Sequence, residues 1–260
     1  MSLSSCFELD NWDAPNCTIR GTVIDTFTNE PLLSSQNDWQ LRYWERSWSG
    51  HEGGATTYQE LRIKQDGTYQ NTKLFAGTYD ILPYDGPFWT IVDTTKNVQI
   101  SGTTELNFKV TPYLSISDYT YAHTNMPSPR QSEPALLIKF RVKAPLLEKR
   151  VGSELRTIPN LREIRVFISH TDFCGNGSDS NIGHSDYTNS NSYARRDINQ
   201  TWTNILNSEG ADKANNTSPE YSFTIPVKKG YTYSVRVGAS TNTGGNRFNY
   251  SPIKKIVIPK

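Results

Sequence analysis

A single stretch, Leu61 to Leu82, constrains the fold more than any other part of this sequence. Its residues, LRIKQDGTYQNTKLFAGTYDIL, form short runs in which apolar and polar side chains alternate. Leu61 and Ile63 share one side of the chain, and Tyr79 and Ile81 restart the alternation. A period of two is typical of strands with one solvated face. The stretch therefore predicts an all-β protein.

Two glycine-containing pairs, Asp66-Gly67 and Ala76-Gly77, separate these runs. Asp-Gly favours a two-residue turn between antiparallel strands, because glycine adopts a positive φ at no steric cost. We therefore expect β-hairpins in the middle of the first domain, and a β-sandwich as its architecture.

The length of 260 residues suits two domains, since a domain typically holds about 100 to 150 residues. We assign residues 1–16 to a tether, 17–111 to a first β-sandwich and 112–260 to a second. The clearest strands of the second domain are Ala135–Val142 and Leu161–Ser169, which indicate an immunoglobulin-like or fibronectin-like sandwich.

Three further segments of the second domain have compositions that suggest their structure. Residues 118–134 contain Pro127, Pro129 and Pro134, which favours a long connection over a helix or a central strand. Residues 170–193 have the composition of a loop. Within residues 197–206, apolar side chains fall at helical spacing, so we allow one short amphipathic helix.

The charge and hydropathy of the chain exclude some partners. The net charge is only +1, with acids and bases interspersed, whereas nucleic-acid affinity depends on concentrated Lys and Arg. No apolar run approaches the ~18 residues that a membrane span needs. We expect no nucleic-acid partner, and a membrane contact only through a lipid anchor.

The anchor is suggested by Leu3-Ser4-Ser5-Cys6, which resembles the end of a bacterial lipoprotein signal, with Cys6 as the lipidated residue. The acidic residues that follow, in 7–16, resemble a surface-export signal of lipoproteins, although a solvated acidic linker explains them equally well. This predicts an outer-membrane lipoprotein exposed at the cell surface. Cys17 and Cys174 lie far apart, and we expect two buried single thiols rather than a disulfide.

The opening of the first domain resembles known sandwiches. Gly21, Val23 and Asp25 reproduce the G-x-V-x-D strand of carboxypeptidase-regulatory and transthyretin-like domains, and a polar turn and Pro31-Leu32 follow. The resemblance implies a transthyretin-like first domain.

Further motifs extend the resemblance over nearly the full chain, in the order Asp66-Gly67-Thr68-Tyr69, Leu74-Phe75-Ala76-Gly77-Thr78-Tyr79, Gly86-Pro87-Phe88, Phe108-Lys109-Val110-Thr111-Pro112-Tyr113, Tyr233-Ser234-Val235-Arg236-Val237-Gly238-Ala239 and Phe248-Asn249-Tyr250-Ser251. They are similar to a domain-of-unknown-function family of secreted lipoproteins that are encoded beside starch-utilisation-like outer-membrane transporters in gut anaerobes. The resemblance implies a glycan-uptake context, with the transporter and neighbouring lipoproteins as candidate partners. It supplies no catalytic residues.

Aromatic residues, 12% of the chain, concentrate in two candidate sugar-binding sites. In WQLRYWERSW, alternation directs Trp39, Leu41 and Tyr43 to the core and leaves Arg42, Trp44, Arg46 and Trp48 outside. The second candidate combines loop residues with a helix, namely Tyr187, Tyr193, Arg195, Trp202, Asn246 and Arg247. Exposed indoles beside guanidinium groups suit an oligosaccharide or polysaccharide. The alternatives are a loop that covers the first site, and Trp202 as the core anchor of its helix.

Other chemistry has weaker support in the sequence. His170-Thr171-Asp172 and His184-Ser185-Asp186 offer zinc ligands without a fixed third ligand, and Asp172, Asn176, Asp179 and Asn181 lack the order of a calcium loop. No nucleophile elbow, P-loop or dinucleotide motif is found. We therefore predict no metal, no cofactor and no enzyme activity. The leading interpretation is a non-catalytic lipoprotein that binds glycan, and the alternative is a docking subunit of the transporter without sugar contact.

Overall fold

The computed structural model describes residues 14–36, 38–47, 57–176, 194–243, 245 and 247–260. The fold is all-β, with two tandem β-sandwiches and one short helix, as the alternation predicts. The described part of the first sandwich contains eight strands: β1 (Cys17–Asp25), β2 (Gln40–Glu45), β3 (Gln59–Arg62), β4 (Thr68–Leu74), β5 (Gly77–Tyr84), β6 (Thr95–Ile100), β7 (Thr103–Glu105) and β8 (Phe108–Val110).

Two sheets form the first sandwich. One has the order β4-β1-β7, with β8 also paired to β1, and the other has the order β3-β2-β5-β6. Their inner faces enclose a core that includes Trp39, Tyr69 and Ile81, all at most 1% exposed. Alternation along β2 explains how this core is filled, because Leu41 and Tyr43 point inward while Arg42 and Trp44 do not.

The turn at Asp66-Gly67 forms as the sequence indicates, but its role differs from the expected hairpin. Asp66 accepts hydrogen bonds from the backbone and hydroxyl of Thr68, and Gly67 has φ +81°. The strands on either side, β3 and β4, belong to different sheets, and the turn at Gly77 likewise joins β4 to β5 across the sandwich. The expectation of central hairpins is wrong, because local turn chemistry does not determine which strand becomes the hydrogen-bonded neighbour.

The second sandwich contains β9 (Ser115–Asn125), β10 (Pro134–Lys143), β11 (Glu148–Val151), β12 (Glu154–Thr157), β13 (Leu161–Ser169), β14 (Arg195–Gln200), α1 (Trp202–Leu206), β15 (Tyr221–Pro226), β16 (Thr232–Thr241), β17 (Phe248–Tyr250) and β18 (Lys254–Val257). One sheet has the order β15-β10-β9, and the other has the order β14-β13-β16-β17 with β18 also paired to β16. β11 and β12 form a separate hairpin.

Two segments differ from the expectation. Residues 118–125, assigned to a connection, belong to β9, an edge strand, because the prolines begin only at Pro127. The helical spacing over 197–206 also overestimates the helix: Ile198 lies in β14, and α1 has five residues. Its N-cap is Thr201, whose hydroxyl accepts a hydrogen bond from the backbone of Asn204 at 3.3 Å.

The two sandwiches are joined by a buried junction. Phe167, Cys174, Phe248 and Tyr250 form a third apolar cluster, against which Leu33 of the first sandwich packs. The Arg236 guanidinium donates to the backbone carbonyl of Ser34 at 2.6 Å. Cys17 and Cys174 are buried and unpaired, in agreement with the expectation of single thiols.

Candidate functional site

The outer face of the β3-β2-β5-β6 sheet collects aromatic and charged side chains. Residues opposite one another in this sheet point to the same side, so the register places Gln40 beside Arg62 and Tyr84, and Arg42 beside Glu60. Trp44 lies opposite Asp80 on β5. The face comes from strands that are distant in sequence and adjacent in space.

At its centre the Arg42 guanidinium lies over two tyrosine rings. The Arg42 Cζ atom is 3.9 Å from the ring centroid of Tyr58 and 3.4 Å from that of Tyr84. Such cation–π contacts hold rings and guanidinium in a fixed arrangement. Both tyrosines keep an accessible surface, with 45% of Tyr58 and 38% of Tyr84 exposed.

A hydrogen-bond network of neighbouring side chains on the same face orients Arg42. Glu60 Oε1 accepts from Arg42 Nε at 3.1 Å and from Gln40 Nε2 at 3.0 Å. Arg62 Nη1 donates in turn to Gln40 Oε1. The terminal nitrogens of Arg42 donate no hydrogen bond to another residue in the described part of the chain. We name Gln40, Arg42, Trp44, Tyr58, Glu60, Arg62 and Tyr84 together the aromatic–arginine face.

Of the predicted residues, Trp44 lies in β2 and Arg46 directly follows this strand. Trp44 is half-buried and meets Tyr58 edge to face, with ring centroids 5.9 Å apart. Arg46 is engaged with Asp80, whose Oδ2 accepts from its Nε at 2.8 Å. Trp48 lies outside the described residues. The structure therefore adds Tyr58 and Tyr84 to Trp44, and it holds Arg46 in an ion pair.

The second predicted cluster is only partly described. Trp202 is 4% exposed and packs in the core of the second sandwich, so it is not an exposed stacking platform. Tyr187 and Tyr193 lie outside the described residues. Arg247 lies at the domain junction, where its Nη2 contacts Asp85 Oδ2 at 2.6 Å. Arg247 therefore lies beside Asp85, the residue that directly follows Tyr84 at the end of β5.

Sequence reasoning missed Tyr58 and Tyr84 as members of one site. Tyr58 precedes and Tyr84 follows the alternating stretch Leu61 to Leu82, from which the strands are predicted. The register that pairs Tyr84 with Gln40 is a long-range property.

The predicted metal candidates have other contacts in the structure. The His170 ring packs against Tyr231 and Tyr233, with centroid distances of 5.2 and 4.8 Å. Asp172 pairs with Lys255 at 2.7 Å, and Asn176 accepts from Arg165 at 3.3 Å. His184, Asp186, Asp179 and Asn181 lie outside the described residues. Among the residues that are described, no three His, Cys, Asp or Glu side chains group as metal ligands would.

The domain junction contains the most perturbed carboxyl group. Burial raises the pKa of Asp38 to about 6, although Arg247 and Arg236 oppose the shift. The Tyr250 hydroxyl donates to Asp38 Oδ2 at 3.2 Å. Burial also lowers the pKa of Arg236, whose guanidinium carbon lies 3.5 Å from the Tyr250 ring centroid. Asp38, Arg236 and Tyr250 are buried between the two sandwiches, whereas Arg247 is partly exposed.

The first sandwich is similar to the domain of a known protein family. Residues 17–111 match the model of the DUF3823 N-terminal domain, a protein family of unknown function. No curated protein matches the chain. Across the part of the chain that is described, no helix has the length and apolar character of a membrane span.

Solved structures share the fold of the whole chain. A Bacteroides uniformis protein described as a candidate carbohydrate-binding protein has a TM-score of 0.65 and 22% identity, and the match covers 94% of this chain and 100% of that one. A DUF3823 family protein from the same species has a TM-score of 0.64 and 22% identity, with the same coverage of both chains. A DUF3823 family protein from Parabacteroides merdae has a TM-score of 0.59 and 19% identity, and the match again covers 94% of this chain and 100% of that one. At these identities the likeness establishes the fold alone.

Proposed function

We propose that this protein is a non-catalytic glycan-binding protein and that the aromatic–arginine face is its binding surface. The observation that carries the proposal is the placement of Arg42 over the rings of Tyr58 and Tyr84, both of which remain partly exposed. Sugars present C–H faces that pack on aromatic rings, and hydroxyl groups that accept hydrogen bonds from guanidinium nitrogens.

The geometry favours binding because the face is already ordered. Glu60 and Gln40 fix the position of Arg42, and Arg42 in turn fixes both rings, so little side-chain entropy is left to lose when a ligand binds. The free terminal nitrogens of Arg42 supply donors between two apolar surfaces. A chain of sugar rings lying across the strands would contact both tyrosines.

A structural neighbour adds support from outside the geometry. The Bacteroides uniformis protein with the same fold is described as a candidate carbohydrate-binding protein. This agrees with a binding role for a two-sandwich protein of this kind.

A docking function is the alternative, and one observation favours it. Tyr, Trp and Arg are the residues most enriched at the centres of protein interfaces, and the face combines Tyr58, Trp44 and Arg42. In this alternative the partner is an outer-membrane transporter or a neighbouring lipoprotein, and no sugar is bound.

Affinity electrophoresis through gels that contain plant or host polysaccharides separates the two functions. We expect retardation of the wild-type protein by at least one polysaccharide, and clearly weaker retardation of Tyr84→Ala and Trp44→Ala. Phe27→Ala is the matched control, because Phe27 is 46% exposed but lies outside the face. Uniform mobility across a broad panel, together with glycan-independent recovery of the transporter, would favour docking.

The proposal includes a lipid tether at Cys6 and exposure on the outer membrane, on the grounds of the Leu3-Ser4-Ser5-Cys6 pattern. When the chain is expressed behind a lipoprotein signal sequence, Cys6→Ser should move it from the membrane fraction to the soluble fraction. Cys17→Ser is the control and should stay with the membrane. Protease treatment of intact cells tests the surface location, and full protection of the wild-type protein would contradict it.

A further inference from the structure

A second concave surface lies in the second sandwich. It is a cleft of about 560 Å³ between the β11–β12 hairpin, helix α1 and the segment after α1, and we name it the second-domain cleft. Its lining includes Ile158, Asn160, Trp202, Thr203, Leu206 and Asn216. A volume in this range is typical of sites for small ligands.

The floor of the cleft is apolar and fixed. Ile158, Trp202 and Leu206 line it, and all three belong to the core of the second sandwich, with exposures of 8%, 4% and 9%. Such a floor excludes water from one side of a ligand without needing to move. It supplies contact area but little specificity.

The walls carry hydrogen-bonding groups that the protein does not use itself. The side-chain amides of Asn160 and Asn216 are half-buried, and within the described residues they have no hydrogen-bond partner. The hydroxyls of Thr157 and Thr203 are exposed, and they too have no hydrogen-bond partner in the described part of the chain. Each amide offers donors and acceptors together, and each hydroxyl offers both. A ligand with many hydroxyl groups is the chemical complement.

The charges around the cleft oppose a charged ligand. One base and one acid line it, Lys213 and Glu148. Lys213 is engaged, since its Nζ donates to Asn207 Oδ1 at 2.9 Å. An acidic sugar or a phosphate would meet no concentration of positive charge here.

We propose that the second-domain cleft binds a segment of a neutral oligosaccharide. The site is separate from the aromatic–arginine face, which belongs to the other sandwich. Two sites on one chain raise the avidity for a polymer that reaches both, without any new contact. The cleft differs from the face in recognising its ligand mainly by amide and hydroxyl hydrogen bonds.

Isothermal titration of the full chain carrying Tyr84→Ala, which removes a ring from the face, tests the cleft by itself. The probes are neutral hexasaccharides of glucan, xylan, mannan and arabinan type, with oligogalacturonate as the charged comparison. We expect one neutral probe to bind with a stoichiometry of one. Adding Asn160→Ala or Thr203→Ala should weaken it about tenfold, the effect of one lost hydrogen bond.

The matched control is Asn125→Ala, an exposed amide of the same sandwich at the end of β9 and outside the cleft. It should leave the affinity unchanged, and thermal unfolding should show that all variants are folded. The proposal would be overturned if no neutral probe binds or if only oligogalacturonate binds. It would also be overturned if adding Asn160→Ala and Thr203→Ala leaves the affinity of the Tyr84→Ala protein unchanged. The difference in gel retardation between the wild-type protein and Tyr84→Ala or Trp44→Ala reports on the face, so failure of one site is distinguishable from failure of the other.

Discussion

Arg42 is the residue on which the proposed binding face depends, because it contacts both exposed tyrosines and the Glu60 carboxylate. A planar guanidinium can stack on two rings and donate from its edge, whereas a lysine ammonium is a compact point charge. The two side chains carry the same charge, so exchanging them tests geometry rather than electrostatics.

Arg42→Lys should therefore weaken glycan binding about tenfold and change the free energy of unfolding by only about 1 kcal/mol. Isothermal titration and urea unfolding measure the two quantities. Arg20→Lys serves as the control, since Arg20 forms an exposed ion pair with Glu105 elsewhere on the domain. Equal affinities of Arg42→Lys and the wild-type protein would count against stacking as the source of binding.

Asp38 makes stability depend on pH. Its pKa of about 6 in the folded protein exceeds the ordinary value of 3.8, so the folded state holds the proton more tightly than the unfolded chain does. The resulting stabilisation is fully present below the unfolded pKa and is lost as the pH rises through about 6. The groups that face the carboxyl are Arg247, Arg236 and Tyr250.

Between pH 4 and pH 7.5 the wild-type protein should therefore lose up to about 3 kcal/mol relative to Asp38→Asn, which has no proton to release. Chemical unfolding of both proteins across that range gives the difference directly. Asp172→Asn is the control, because Asp172 is exposed. Parallel pH profiles for the wild type and Asp38→Asn would contradict a raised pKa at this position.

At the scale of elements, strand β1 is the centre of the first sandwich, and Gly21 allows its close contacts. A Cβ atom at Gly21 would lie 1.8 Å from the Leu106 carbonyl oxygen and 2.9 Å from the Tyr69 hydroxyl. Backbone cannot yield as a flexible side chain does, so the strand requires glycine here.

Gly21→Ala should lower the free energy of unfolding by about 2–3 kcal/mol through overpacking. Gly102→Ala is the comparison: Gly102 has φ +60° with open space around it, so only backbone strain of about 1 kcal/mol is expected. Denaturant unfolding measures both. A smaller loss for Gly21→Ala than for Gly102→Ala would show that the contact with Leu106 is not maintained.

Elements with strong alternation could be predicted from the sequence, and those defined by distant partners could not. Leu161–Ser169 forms β13 with the expected bounds, and β10 extends the expected 135–142 by one residue at each end. The turn at Gly67 was expected from its residues, but its crossing between sheets depends on strand pairing. Strand β9 was missed because prolines just beyond it dominated the composition of its segment.

The same limit applies to the candidate site. Alternation in β2 correctly separates Arg42 and Trp44 from the core residues Leu41 and Tyr43. Tyr58 and Tyr84 join them through the register of β3 and β5, which no local pattern encodes. For Trp202 the sequence leaves a binding surface and a core anchor of the helix as alternatives, and its burial confirms the core anchor.

At the scale of the whole molecule, Arg247 joins the two sandwiches. Its guanidinium contacts Asp85 at 2.6 Å and Asp38 at 3.6 Å, and both carboxylates belong to the first sandwich. Replacing Arg247 with alanine leaves the buried Asp38 carboxyl without this cation.

Arg247→Ala should lower the free energy of unfolding by about 2–3 kcal/mol and should separate the unfolding of the sandwiches into two transitions. Calorimetry and tryptophan fluorescence measure the free energy of unfolding and the number of transitions. Arg156→Ala, which removes an exposed pair with Glu154, should cost less than about 0.5 kcal/mol. A single transition at the wild-type temperature in Arg247→Ala would mean that other contacts hold the junction.

The most direct test of the glycan-binding surface is a nuclear magnetic resonance titration of the isotopically labelled full chain with the glycan that retards it most in gels. The proposed function predicts that the backbone amide signals of Arg42, Tyr58 and Tyr84 shift together as the glycan is added and saturate at one common affinity. If these three signals stay in place at saturating glycan, the aromatic–arginine face is not the binding surface.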